Sequence, residues 1–225
     1  MNKNWFTRFE QKSIDPRYLK NIIEATNYFQ SWFSGKHAAS FTDMLTTMHR
    51  LAIRGGYIGH TATDGPVVPL GSAFRGVNKG AWRPLLKKKW FTEVLVYADS
   101  NIYPTIRLIS LRGTHHLVER ETGYELHLPR EDCIPDFLWR MQTIMEGLRC
   151  MFSAELLAEY IQLFVVGHPF EKVNYSICMA QVNAILDYYG YKPLLHQWFD
   201  FDCFVYDYDR IEEIFETRLT CGISI

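Results

Sequence analysis

One break in the helical pattern constrains this chain more than any other feature. A strongly apolar stretch of helical period, running from about Ala154 to Gly167, meets His168-Pro169, and an amphipathic stretch starts a few residues later. Pro169 has no N–H and a fixed φ, so the first helix must end ahead of it. Asn174 precedes Ile177, Val182, Ile185 and Leu186, which is the residue type and place of an N-cap. The intervening turn is short, which brings His168 near the first amides of the second helix. Those amides and the helix dipole favour an anion. A histidine beside such a site suits proton transfer at a phosphate or a phosphate-linked sugar. The same spacing also suits a plainer role, in which His168 closes a helix C-terminus and Phe170 plugs the core.

The rest of the chain predicts a mainly helical, α+β domain. Asp15-Pro16 reads as an N-cap and first helical residue, opening a helix with Leu19, Ile22, Ile23, Ala25, Thr26 and Phe29 on its apolar positions. Ser40 or Thr42 announces a second helix that Gly55-Gly56 ends. Residues 55–80 are loop-like, with Pro66 and Pro69, and Lys87-Lys88-Lys89 reads as a solvated loop or helix end. The period then changes. Residues 91–97 and 105–111 have strand composition, and residues 116–119 and 124–128 flank a turn signal at Arg120-Glu-Thr-Gly123, which predicts a hairpin. Helices resume at Ile134-Pro135 and at Ser153. A third spans Tyr175 to Tyr189, with Gly190 placed to end it and Pro193 to prevent continuation. The tail carries Trp198, Phe199, Phe201 and Phe204 among aspartates, is expected to pack back on the core, and ends in a short helix at 211–218. No linker composition and no repeat interrupts residues 1–225, so one domain is expected.

Composition narrows the function classes. A net charge of −1 gives no electrostatic reason to expect nucleic acid as a partner. No apolar run approaches a membrane span. Arg8 and Glu10 interrupt the place where a secretory signal would need an apolar stretch, so a cytoplasmic location is expected. Five cysteines, none in a C-x-x-C pair, argue against a structural zinc and against a disulfide framework. His115, His116 and His127 do not make a metal site, since adjacent strand residues face opposite ways and no further ligands stand at suitable spacing. No phosphate-binding G-x-x-x-x-G-K-[ST] loop and no G-x-S-x-G elbow is present.

The run His168-Pro169-Phe170, then Asn174, followed by Met179, Asn183-Ala-Ile-Leu186 and Tyr189-Gly-Tyr-Lys-Pro193, resembles the core of the Fic (Fido) domain. Upstream, Asp43-Met-Leu45 with His49-Arg-Leu51 looks like the family's early helix, and Ser72-Ala-Phe-Arg75 sits where an Arg-containing segment follows it. The hairpin expected at about 115–128 matches the family's flap. Residues of about 40–193 are covered, leaving 194–225 as an aromatic and acidic extension, with extra strands ahead of the flap. The resemblance implies a Fic-like helical core and transfer of a nucleotide-derived phosphate group to a hydroxyl. It implies His168 as the general base, Pro169 and Phe170 as support for the motif, and a protein target pinned along the flap by strand addition.

Several positions depart from that pattern. Lys172 replaces the metal-holding acid, Val173 and Tyr175 replace two glycines, and Ser176 replaces an arginine that grips phosphate. Magnesium needs oxygen ligands, which an ammonium does not supply, and Glu171 falls one residue early. No metal or resident cofactor is therefore expected, and a nucleotide-type donor serves as co-substrate. Three readings follow. In the first, a transferase uses Lys172 as a point charge, with Asn174, Tyr175, Ser176 and Arg75 near the donor. In the second, a catalytically silent Fic fold binds a protein through the flap. In the third, a small-molecule biosynthetic enzyme uses His168 as base and the Arg75 region as an anion clamp. Drifted motifs of this kind occur among bacterial effectors delivered into host cells, an association that the resemblance carries with it.

Overall fold

The computed structural model describes residues 16–56, 85–87, 116–120, 123–127, 134–170, 173–194, 199–206 and 208–220. The described residues are mainly helical. Helix α1 spans Pro16–Phe33 and α2 Phe41–Ala52, followed by one 3-10 turn at Arg54–Gly56. Strands β1 (Leu85–Lys87), β2 (His116–Arg120) and β3 (Gly123–His127) come next. Then follow α3 (Ile134–Cys150), α4 (Ala154–Gly167), α5 (Asn174–Tyr188), α6 (Phe199–Val205) and α7 (Tyr208–Thr220).

Local chemistry explains most of the helix ends. Helix α1 begins at Pro16, whose fixed φ suits a first turn. Ser40 caps α2 by accepting a hydrogen bond from Asp43 N–H, and Ser153 caps α4 in the same way from Leu156 N–H. Beyond Ala52, Gly55 takes φ 78°, a left-handed turn that ends the run. At the end of α5, Gly190 (φ 80°) donates its N–H to Asp187 O, and Tyr191 N–H donates to Leu186 O at 2.8 Å. That pair of bonds closes the helix by returning two orphan carbonyls to the backbone.

Helices α4 and α5 form the centre, and both are buried on most faces. Helix α1 packs on α2 and α5, α3 packs on α4, and α6 and α7 pack on the remaining side of α4. Buried polar groups in this centre find partners. Tyr160 O–H donates to Gln181 Oε1 (2.6 Å), and Gln181 Nε2 reaches the Met48 sulfur (3.3 Å), which joins α4, α5 and α2. The guanidinium of Arg140 grips Glu159 through two bonds of 2.7 Å, joining α3 to α4. Those two helices approach closely: a Cβ on Gly167 would stand 2.8 Å from the Phe137 ring.

The sheet has the order β1-β3-β2 and is antiparallel throughout. His116 pairs with His127 and Arg120 with Gly123 across β2 and β3. The strands expected at 91–97 and 105–111, most of the loop expected at 55–80, and Asp15 lie outside the described residues. The tail differs from expectation. It contains a helix at Phe199–Val205 that the aspartates obscured, and the last helix runs over Tyr208–Thr220 rather than 211–218. Burial of Phe199, Ile211 and Phe215 against the core extends both, with the Phe199 and Phe215 rings stacked at 6.3 Å. Among the described residues no helix is long and apolar enough to cross a membrane.

Candidate functional site

His168 is the residue after α4. Its backbone is left-handed (φ 45°, ψ 57°), and its N–H donates to Phe164 O at 3.1 Å. Histidine is among the side chains that tolerate this region, so the chain turns here at modest cost. The side chain is half-buried at the carbonyl end of α4, where the helix dipole favours a positive charge. Pro169 follows, buried, and removes any possibility of continuing the helix.

Phe170 is wholly buried and is held in two ways. Its peptide is clamped by Asn174: Phe170 N–H donates to Oδ1 (2.8 Å), and Asn174 Nδ2 donates to Phe170 O (2.7 Å). Its ring lies parallel to the imidazole of His49 on α2, with centroids 4.1 Å apart and planes 6° apart. His49 is itself buried, at 1% exposure.

The clamp corrects the role expected for Asn174. Both ends of its carboxamide are committed to Phe170, so it cannot also cap α5. It stands as the first residue of the helix, and Val173 takes the capping place with no side-chain hydrogen bond to the first turn. Val173 is also left-handed (φ 57°, ψ 16°). A β-branched residue rarely adopts that conformation, and left-handed backbone costs about 1–2 kcal/mol. Thus a turn of the kind that glycine accommodates is held by valine here.

Tyr175, expected near the donor, is buried at 8% exposure. Its ring faces inward, within the electrostatic influence of Asp200, Cys203 and Arg218 from α6 and α7. Burial, then the Asp200 charge, hold its phenol well above the usual tyrosine range. It belongs to the hydrophobic core cluster. Ser176 is half-buried in the first turn of α5. Lys172, Glu171 and Arg75 lie outside the described residues.

His49, part of the early-helix resemblance, lies on the apolar face of α2, between Leu45 and Ala52. A part-buried ion pair behind α5 escaped the sequence reading. Arg218 Nη2 donates to Asp202 at 3.0 Å, and its guanidinium covers the Phe199 ring at 4.6 Å. Burial raises the Asp202 carboxyl although Arg218 opposes the shift. Cys178 and Cys203 are buried, which pushes both thiols well up and disfavours the nucleophilic thiolate. The described residues contain no cluster of three or more metal-ligating side chains.

No family model matches the sequence, and no curated protein does. Two solved structures resemble the fold. One is a Fic domain containing signaling protein from Bacteroides thetaiotaomicron, at 13% identity and a TM-score of 0.46, covering 92% of this chain and 57% of that one. The other is a Fic family protein from Desulfovibrio desulfuricans, at 15% identity and a TM-score of 0.39, covering 92% and 47%. Both neighbours are Fic-domain proteins. The chain spans about half the length of each.

Proposed function

We propose that the chain is a Fic-like transferase that moves a phosphate-linked group or a sugar from a nucleotide-type donor to a hydroxyl, without Mg²⁺. The observation that carries this reading is the loop between α4 and α5. At its described residues, His168 and Val173 are left-handed and Asn174 clamps Phe170, although both expected glycines are gone. A turn kept at that conformational cost is consistent with a working site.

In this mechanism neutral His168 accepts the proton of the acceptor hydroxyl. The oxygen then forms its bond to the transferred group as the bond to the departing nucleotide phosphate breaks. Lys172 supplies positive charge to the donor phosphates, and the first turn of α5 adds its dipole. A protein target adds as a further strand along the flap at about 115–128, where β2 is an edge of the sheet among the described residues.

The silent interaction module is the second reading. It is favoured by Tyr175 being buried and Val173 standing where a glycine would let backbone approach phosphate.

A thermal-shift screen against ATP, GTP, UDP-, dTDP- and CDP-linked donors, with and without Mg²⁺, separates the readings. A donor at about one hundred times its Kd stabilises by about 2.7 kcal/mol. The transferase predicts a metal-independent rise in Tm that Lys172→Ala abolishes, and loss of transfer but not of binding in His168→Ala. A rise only with ATP and Mg²⁺ would return AMP transfer to the lead. No rise with any donor would leave the interaction module, or a small-molecule enzyme without a nucleotide donor.

A further inference from the structure

The direction in which His168 leaves α4 depends on what holds Phe170. Only Pro169 separates them, and its ring fixes φ, so few free torsions remain between the two residues. The Phe170 peptide is fixed by Asn174, and its ring by the imidazole of His49, 121 positions earlier in the chain.

We propose that His49 is a positioning residue, whose flat imidazole holds the Phe170 ring and thereby sets the geometry of the His168 turn. The proposal rests on the transferase reading only for what that geometry serves.

Three features support it. The rings lie 6° from parallel at 4.1 Å, a contact that needs a flat surface on both sides and that a branched aliphatic side chain does not offer. Both residues are fully buried, so the ring pair sits in packed surroundings with little room to re-orient. The plate is also anchored. His49 lies in the last turn of α2, where Ile53 N–H donates to His49 O at 3.0 Å. From α1, Asn21 Nδ2 donates to Arg54 O at 2.7 Å and to Ala52 O at 3.4 Å, which fixes the chain just beyond that turn. A continuous path of contacts therefore runs from α1, through the end of α2 and His49, to Phe170 and the turn that carries His168.

The test compares His49→Phe, which keeps a flat ring, with His49→Leu, which fills similar space without one. Hydrogen exchange is read at Phe170 N–H, the donor to Asn174, and at amides inside α4 and α5 such as Leu163 and Ile185. Positioning predicts that the Phe variant keeps Phe170 protection within about threefold. The Leu variant loses at least about tenfold there, while the helix amides hold and the His168 ring resonances move. Equal protection in both variants, or a loss spread evenly over the helices, would mean that His49 merely fills space. Loss in both variants at Phe170 alone would overturn the flat ring as the cause.

Should the Leu variant not fold, cross-relaxation between the His49 and Phe170 ring protons in the unaltered protein decides the matter, and its absence overturns the stack. None of these readouts depends on transfer, which His168→Ala tests separately.

Discussion

Asn174 offers a sharp test of the loop. Its carboxamide makes two buried hydrogen bonds, at 2.8 and 2.7 Å, to a peptide that has 0% exposure at Phe170. Asn174→Ala leaves a buried N–H and a buried C=O without partners, each costing about 1–3 kcal/mol. Relaxation beside the half-exposed His168 turn reduces the sum to roughly 2–4 kcal/mol. For a domain of this size that lowers Tm by roughly 5–15 °C.

Asn174→Asp adds a pH test. A protonated carboxyl accepts from Phe170 N–H and donates to Phe170 O, as the carboxamide does, whereas the carboxylate cannot donate and faces a carbonyl oxygen. Burial and that contact both favour the neutral acid, so the folded pKa lies above the unfolded value of about 3.9. A raised folded pKa contributes stability that is fully present below the unfolded pKa and is lost as pH rises through the folded one. The Tm of Asn174→Asp, measured against wild type by scanning calorimetry, should thus approach wild type near about pH 4 and fall toward Asn174→Ala near about pH 7.5. A gap that stays constant between those pH values, or an Ala variant within about 1 °C of wild type, would refute the clamp.

Two substitutions probe the helices on either side. Gly167→Ala drives a Cβ to 2.8 Å from the buried Phe137 ring. The overpacking cost of about 1–3 kcal/mol outweighs the helix-propensity gain of about 1 kcal/mol, so urea unfolding should show a net loss. Val173→Gly relieves about 1–2 kcal/mol of left-handed strain. It also costs about 0.5–1 kcal/mol of chain entropy and the partial burial of Val173 against the core. Stability should stay within about 1 kcal/mol of wild type, and a gain above about 2 kcal/mol would show that the strain is larger than the φ of 57° implies.

Much of the helical framework was legible from local rules. Pro16, Ser40, Ser153, Pro169 and Gly190 each mark a helix end through a property of one side chain: a fixed φ, a hydroxyl acceptor, a missing N–H or freedom at positive φ. The tail was less legible: the sequence predicts that its aromatics pack on the core, whereas the helix at Phe199–Val205 forms where Phe199 stacks on Phe215 of the last helix.

The site divides along the same line. The sequence by itself determined that a helix ends at His168 and another begins near Asn174, because proline and the apolar period act over a few residues. Only the tertiary structure decided what Asn174 does, since an asparagine at a helix start can cap forward or reach back, and the burial of Phe170 selects the second. Tertiary packing also decided that Tyr175 turns inward and that His49 meets Phe170. Those outcomes depend on α6, α7 and α2 arriving from distant parts of the chain, and no local spacing encodes which ring will face which.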